Sequence, residues 1–368
     1  MLSLSKKRIL IIANTYYQMI LAIQLRCKNF SDCDVVLLLS DHSNNMDKIA
    51  KKISELNLFA ESHFIKTKQL NYQRSKIQKI KEFFQIAFSI KSNCKEYLEF
   101  VDNKYFDEVI FYNFSSDVFK IYDKLKSINN YLKISMFEEG LFSYKFDAVF
   151  PKFIKAALFL RSLLHVNTAF QELKNFYCYY PSVYRGILTP VAVPKIAPND
   201  SCSINIKKIF ETEKLGLSYS QKYIYFTSVY DFEGGEAIGE YEVACNIAAL
   251  VGKENLLIKM HPRDTRSIYV DNSFTVDKNS NIPWEVIQLS RDFSDKVFLT
   301  ATSGSVLSGS LLSEIPVKTF FLYKLCKLDC NVSARSTVES IDDLINKSSM
   351  KDAFNNVFIP EKIDEILK

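Results

Sequence analysis

Short apolar runs alternate with longer amphipathic stretches along most of this chain. Residues 8 to 27, RILIIANTYYQMILAIQLRC, set the unit: a β-branched run, the N-cap types Asn14 and Thr15, then apolar positions at helical spacing. That pattern predicts strand, tight turn and helix. DVVLLLSD at 34 to 41 predicts a second buried strand, and KIAKKISELNLF a helix after it. FDEVIFYNF at 106 to 114 and YLKISMFEEG at 131 to 140 predict further strands. Strands separated by helices argue for a parallel sheet with both faces covered.

Four of the nine prolines fall between Pro181 and Pro198, where helical and strand periodicity both vanish, which predicts a domain linker. The alternation then restarts with QKYIYFTSVY (strand), EYEVACNIAALVG (helix ended by Gly252), NLLIKMHP (strand), VIQLSRDF (helix), KVFLTATSGS (strand and loop), VLSGSLLSE (helix) and VKTFFLY (strand). The expected division is an α/β domain over 1–185, a linker over 186–215, a second α/β domain over 216–340, and a polar helical segment over 341–368 lying across the surface. Two such halves in tandem imply a cleft between them, and open α/β sheets bind ligands beyond the carboxyl ends of their strands.

Composition narrows the function without choosing it. A net charge of +5 is too mild for a dedicated nucleic-acid binder, and no motif of that class is present, so an anionic small molecule or an acidic membrane surface fits better. The eight cysteines form no C-x-x-C pair and no zinc spacing, and are expected to be reduced, mostly buried thiols. After the basic start, only Ile9 to Ala13 are apolar before Asn14, too short for a signal peptide. No apolar run approaches the roughly 18 residues of a membrane span. The expectation is a soluble intracellular protein, or one attached to a membrane only from its surface.

Four loops carry candidate chemistry. In LLIKMHPRDTR, Pro262 ends the strand and sets His261 at its carboxyl edge. Lys259, Arg263 and Arg266 add positive charge suited to a phosphate, to which the histidine could donate a proton or hydrogen bond. The competing reading is a histidine that satisfies a loop carbonyl. In TATSGSVLSGS, Thr302, Ser303 and Ser305 lead into a helix start whose amides could cradle an anion, although simple capping gives the same pattern. In MFEEGLFSY, Glu138 and Glu139 follow a strand and precede Gly140, and alternation lets only one of them face a given ligand. A carboxylate there could be a general base if burial lifts its pKa. In YIYFTSVYDFEGGEAIGEYE, Asp231 comes first after a strand and Glu233 and Glu236 follow, so that Asp231 could flank a substrate opposite His261. Helix capping by this acidic loop is the alternative, and it suits Glu236 better than Asp231. The D-x-D at Asp32 to Asp34 precedes a strand and supports no metal-held sugar nucleotide.

The acidic-acidic-glycine turn at 138–140, the His-Pro at 261–262 and the serine-rich loop about 40 residues later, in that order, resemble the bacterial sialyltransferases. More specifically the chain is similar to the lipooligosaccharide and capsule sialyltransferases of glycosyltransferase family 52, with the bacterial polysialyltransferases as near relatives. The Tyr-Gln of ILIIANTYYQMILAI adds to the likeness, which spans residues 9 to about 325. The resemblance implies a GT-B architecture, two Rossmann-like domains with parallel sheets facing a central cleft. It implies CMP-sialic acid bound chiefly by the second domain and a glycan acceptor by the first. His261 would contact the CMP phosphate and assist its departure, with Pro262 and Arg263 beside it; Thr302, Ser303 and Ser305 would hold that phosphate. Glu138, Glu139 and Gly140 match the acidic turn, from which a base or acceptor contact is drawn. Asp231 matches the family-52 catalytic aspartate, displaced a few residues upstream by an insertion of glycines and glutamates. The expected reaction is inverting, needs no cofactor or essential metal, and delivers sialic acid to a terminal sugar, galactose first, of a bacterial capsule or lipooligosaccharide. Other CMP- or nucleotide-sugar transfer, including polysialyl or Kdo transfer, and non-catalytic nucleotide or glycan binding on the same scaffold are the alternatives.

Two basic stretches bear on location. Residues 71 to 95 hold six Lys or Arg against one Glu among Ile and Phe, and PKFIKAALFLRSLLHV at 151 to 166 has three basic residues and no acid. Such helices can lie on anionic membranes, or can pack by their apolar side and solvate the basic one. The expected location is cytoplasmic, with peripheral attachment to the inner face of the cell membrane where the acceptor is lipid-linked.

Overall fold

The structure is a computed structural model and describes residues 6–43, 45–66, 76–88, 99–112, 116–144, 152–164, 172–216, 218–232, 236–279, 282–312, 317–329, 331–346 and 354–368. It divides into two units, Met1–Pro194 and Lys195–Lys368. The first is built on strands β1 (Arg8–Ala13), β2 (Asp34–Ser40), β3 (Glu61–Ile65), β4 (Glu108–Phe111), β5 (Lys133–Phe137), β6 (Leu173–Cys178) and β7 (Thr189–Ala192). Their order in the sheet is β3-β2-β1-β4-β5-β6-β7, with every neighbouring pair parallel. Helices α1 (Tyr16–Cys27), α2 (Met46–Glu55), α3 (Lys76–Phe88), α4 (Ser116–Ile128) and α5 (Lys152–Leu163) lie among them in the chain.

The second unit repeats the plan with β8 (Tyr223–Phe226), β9 (Leu256–Lys259), β10 (Thr275–Val276), β11 (Val297–Thr300), β12 (Lys318–Phe321) and β13 (Val357–Phe358), in the order β10-β9-β8-β11-β12-β13. All its described pairs are parallel too. Its helices are α6 (Ser201–Phe210), α7 (Glu240–Val251), α8 (Ile268–Asp271), α9 (Trp284–Ser290), α10 (Ser305–Leu312) and α11 (Val332–Asn346). Numbered from its own first strand, the second sheet has the doubly wound order 3-2-1-4-5-6 and the first the same order with a seventh strand added, so the chain reverses direction across the sheet between β1 and β4, and again between β8 and β11.

Burial explains the strand sequences. Ile9 to Ala13 and Val35 to Leu39 are buried along their whole length, whichever face each side chain is on, so these strands read as apolar runs and do not alternate. The second core gathers Tyr225, Ile247, Ile258, Tyr269, Leu299 and Leu322 from strands and helices alike.

Two organisational expectations need correction. The linker expected over 186–215 is largely structured. β7 closes the first sheet as an edge strand, where Pro190 is tolerated because its missing N–H faces no further strand. Helix α6 follows, with the Asp200 carboxylate accepting from the Ser203 N–H at 2.8 Å as its N-cap. Nor does the chain end as a surface helix: β13 pairs with β12, and Ile366, in the terminal 3-10 turn, is buried in the second core. Among the described cysteines, Cys178 and Cys202 are buried and Cys27, Cys33, Cys245 and Cys326 are half-buried; Cys94 and Cys330 lie outside the described residues.

Ile366→Ala is therefore expected to cost about 2–5 kcal/mol of stability, as buried isoleucine truncations do, whereas Leu367→Ala, at an exposed position, should be nearly neutral. Denaturant midpoints of the two variants check this; similar small effects would mean that the terminus is not part of the core.

Candidate functional site

The candidate residues gather at the carboxyl edges of the two sheets. In the first unit, β5 ends at Phe137 and delivers the two glutamates into different environments. Glu138 has no exposed surface. Its carboxylate accepts from Tyr17 Oη at 2.6 Å, from the Tyr179 N–H at 3.0 Å and from Tyr144 Oη. Burial pushes its pKa up to about 7 against these three hydrogen bonds, which favour the charged form. Glu138 thus ties β5 to α1, to the segment after β6 and to the turn that follows.

That turn needs its glycine. Gly140 adopts φ +74°, in the left-handed region, and Ser143 folds back so that its hydroxyl donates to the Gly140 carbonyl and accepts the Glu139 N–H, both at 2.6 Å. The geometry leaves Glu139 at the edge, half-buried, with Thr15 Oγ1 donating to its carboxylate at 2.7 Å. Burial raises the Glu139 pKa, opposed by hydrogen bonds from Thr15 and Gln18. Tyr112, at the end of β4, is pushed up to about 12 by burial and by the Glu139 charge. Thr15 also caps α1, accepting from the Gln18 N–H, and the Gln18 side chain accepts from the Asn14 N–H at 2.7 Å. In the sequence Thr15 reads only as an N-cap type and Gln18 only as part of the Tyr-Gln pair, and nothing there marks Ser143 or Tyr112.

In the second unit, Asp277 follows β10, Lys259 ends β9 with His261 just beyond it, Thr227 and Asp231 follow β8, and Thr302 and Ser303 follow β11, and these four strands are adjacent in the sheet. The His261 N–H donates to Thr227 Oγ1 at 2.8 Å, and Nδ1 accepts from the Arg263 N–H at 3.2 Å. With Nδ1 accepting, the proton of the neutral imidazole sits on Nε2. Pro262 and Arg263 are exposed. Thr302 Oγ1 is buried without a hydrogen-bond partner among the described residues, Ser303 donates its N–H to Thr300 Oγ1 at 2.9 Å, and Ser305 opens α10. A helix start with such an unsatisfied hydroxyl beside it fits an anionic ligand.

Three of the candidates in this unit are engaged by other groups of the chain. Asp231 is committed to the backbone: Oδ1 accepts from the Ile238 and Gly239 N–H groups at 2.8 and 3.1 Å, and Oδ2 from the Glu240 N–H at 2.9 Å. It organises the start of α7, the capping role assigned to Glu236, which is exposed; Glu233, Gly234 and Gly235 lie outside the described residues. Lys259 brings no uncompensated positive charge to the loop. Its ammonium is buried 3.1 Å from Asp277 Oδ2, yet neither atom makes a well-formed hydrogen bond. Arg266 is likewise engaged, its guanidinium donating to both oxygens of Asp264 and to the Asp231 carbonyl.

Glu240 was missed altogether. It is buried, accepts from the Ser228 N–H and hydroxyl at 2.9 and 3.0 Å, and is pushed up to about 8 mainly by burial. A glutamate opening a helix reads in sequence as an ordinary partner of the helix dipole. Among the described residues, no group of three or more His, Cys, Asp or Glu is placed to hold a metal ion.

Comparison with known proteins places this arrangement in a family. The sequence model of the α-2,8-polysialyltransferase (POLYST) family matches residues 9–321, a span that contains both carboxyl edges. The chain belongs to this family. It is a glycosyltransferase of the sialyltransferase kind, and the family is the one that the sequence resemblance set as a near relative. No curated protein sequence matches the chain. The solved structure of an α/β-galactoside α-2,3-sialyltransferase from the luminous marine bacterium Photobacterium phosphoreum is similar with a TM-score of 0.53 at 12% identity, covering 98% of this chain and 100% of that one. UGT89C1 of Arabidopsis thaliana gives 0.50 at 12% identity, covering 93% and 84%. At such identities the likeness is one of fold, and that fold is GT-B.

Asp231→Ala should lower stability by about 1–3 kcal/mol, because three N–H groups lose their acceptor, and should reduce turnover no more than its unfolding accounts for. Loss of turnover with an unchanged melting temperature would restore Asp231 as the base. Glu138 gives a pH signature. Its folded pKa of about 7 stands above the ordinary 4.5, so its contribution is fully present below about pH 4.5 and is lost as pH rises through about 7. The loss is on the order of 3 kcal/mol. Unfolding measured from pH 4.5 to 8 should show this fall in the wild type and a shallower one in Glu138→Gln; identical slopes would contradict the assignment.

Proposed function

We propose that the protein transfers sialic acid from CMP-sialic acid to a glycan acceptor in one inverting displacement, with Glu139 as general base. The observation that carries this reading is the pairing of a half-buried, pKa-raised Glu139, held by Thr15, with a fully buried Glu138 that fixes the turn beneath it. In the reaction, the acceptor hydroxyl oxygen bonds to the anomeric carbon of the sialyl group while the bond from that carbon to the phosphate oxygen breaks. Glu139 takes the hydroxyl proton, and CMP leaves with the bonding electrons. Such a base contributes typically 10²–10⁴-fold.

On the donor side, His261 Nε2–H is a hydrogen-bond donor for the phosphate, and the loop from Thr302 to Ser305 offers hydroxyls and helix-start amides to the same charge. Lys259 Nζ, Asp277 Oδ2 and Thr302 Oγ1 are buried polar atoms short of hydrogen bonds, as expected of groups that a nucleotide completes. A monophosphate leaving group can be stabilised by such donors, so the proposed reaction needs no divalent metal. The family's description favours a sialic-acid-terminated acceptor over the galactose expected from sequence. Capsule or lipooligosaccharide synthesis on the cytoplasmic side of a membrane is the setting that suits such a donor and acceptor.

The test is to supply purified protein with CMP-sialic acid, CMP-Kdo or UDP-sugars and with sialic-acid- or galactose-terminated acceptors, in EDTA, measuring nucleotide release and product. Transfer from CMP-sialic acid is expected to persist in EDTA, with Glu139→Gln about 10²–10⁴-fold slower at unchanged donor affinity and His261→Ala slowed in turnover more than in acceptor binding. Because Glu139 must be ionised to accept a proton and its pKa lies above 4.5, kcat/KM should fall on the acid side from a pH above that value. Wild-type turnover in Glu139→Gln, or transfer only from a UDP-sugar, would overturn the proposal.

A further inference from the structure

Helices α3 and α5 of the first unit pack against one another, yet both leave large apolar side chains uncovered. On α3 these are Ile77, Ile80, Phe84 and Phe88, recurring at i, i+3, i+7 and i+11, which is one continuous stripe of a helix. Ile77 is 79% exposed. On α5 they are Phe159, 67% exposed, and Leu163, one turn apart, with Leu164 just beyond the helix. Solvated apolar residues scattered singly need no explanation, but stripes on two packed helices do.

The charge around the α3 stripe distinguishes the partner. At 3.6 residues per turn, Lys76 and Lys81 fall within about 40° of its two edges, and both are exposed, as is Lys79. The helix holds these three lysines against the single Glu82. Cores of protein–protein interfaces are depleted in lysine. Helices lying in a bilayer surface, by contrast, put lysines at the flanks, where the aliphatic stem follows the apolar boundary and the ammonium reaches the phosphates. The α5 sequence KFIKAALFLRSL contains no acid, and its Arg161 is withdrawn from this role, buried and donating to Asp123 at 2.8 Å. Among the described residues no helix is long and apolar enough to cross a membrane. Residues 71–75 and 89–95 of the basic stretch lie outside the described residues.

We infer that the α3–α5 face of the first unit docks on an anionic lipid bilayer surface, the apolar stripes entering the headgroup boundary and Lys76 and Lys81 meeting lipid phosphates. This inference does not rest on the sialyl-transfer reading, because none of these residues belongs to the carboxyl edges described above. A lipid-bound acceptor would be presented at the same surface.

The experiment is sedimentation of the full chain with vesicles of phosphatidylcholine alone or mixed with phosphatidylglycerol, at low and high salt, with light scattering of the lipid-free protein. The wild type is expected to sediment with the anionic vesicles, less so in high salt, and little with the neutral ones. Ile80→Glu/Phe84→Glu and Lys76→Glu/Lys81→Glu should each lower the bound fraction by about tenfold or more, while Tyr131→Glu, at an exposed position in the loop before β5, should not. Release of CMP from CMP-sialic acid in solution should be unchanged in all three variants. Absence of binding, or binding indifferent to the helix variants, would overturn the inference. So would a dimer in solution that Ile80→Glu/Phe84→Glu dissociates, since the face would then belong to a second copy.

Discussion

Every described strand pairs in parallel with its neighbours, and that constraint shapes the rest of the molecule. A parallel strand cannot return through a tight turn; the chain must cross a face of the sheet, usually as a helix, before the next strand begins. Both faces are then covered, the strands become apolar runs such as Ile9 to Ala13, and little room for chemistry remains along them. Polar groups collect where strands end. The same consequence appears twice, with Thr15, Tyr112 and Glu139 at one carboxyl edge and Thr227, His261 and Thr302 at another.

The two edges use buried carboxylates in similar ways. Glu138 and Glu240 both lie in the interior, both accept hydrogen bonds from a backbone N–H and a hydroxyl, and both have pKa values raised by burial. A buried carboxylate is costly unless hydrogen-bonded, and a fully bonded one fixes the segments that supply its donors. Glu138 holds the turn that presents Glu139. Glu240 holds the end of β8 through Ser228, while Asp231 gathers the backbone of the segment leading into α7. Of the three glutamates whose pKa burial raises, Glu138 and Glu240 are buried and Glu139 is partly exposed, which is why Glu139 is the one proposed for proton transfer.

How far the sequence could be read follows from the same physics. Central strands were legible because burial on both faces demands uninterrupted apolar residues, and α1 because Thr15 and the 3.6-residue period mark its start. Edge strands were not: β3 is ESHFI, β7 contains Pro190 and β13 has only two residues, so each lacks the apolar run that neighbours on both sides impose. Positions at strand ends could be read for His261 and for Glu138 to Gly140, because a proline and a glycine punctuate the chain there. What could not be read is how Asp231, Lys259 and Arg266 are engaged, because their partners are distant in sequence or hidden in a turn. No pattern in a single sequence shows that Asp277 neutralises Lys259.

The central claim is that the carboxylate held by Thr15 takes the acceptor proton. Thr15 Oγ1 donates to Glu139 and so favours its charged form; without that donor the Glu139 pKa must rise further. The most direct measurement is the pH dependence of kcat/KM for sialyl transfer in the wild type and in Thr15→Ala. The account predicts an acid limb displaced to higher pH in the variant, with activity recovering once Glu139 is again ionised. An acid limb that stays where it is in the wild type would place the base elsewhere.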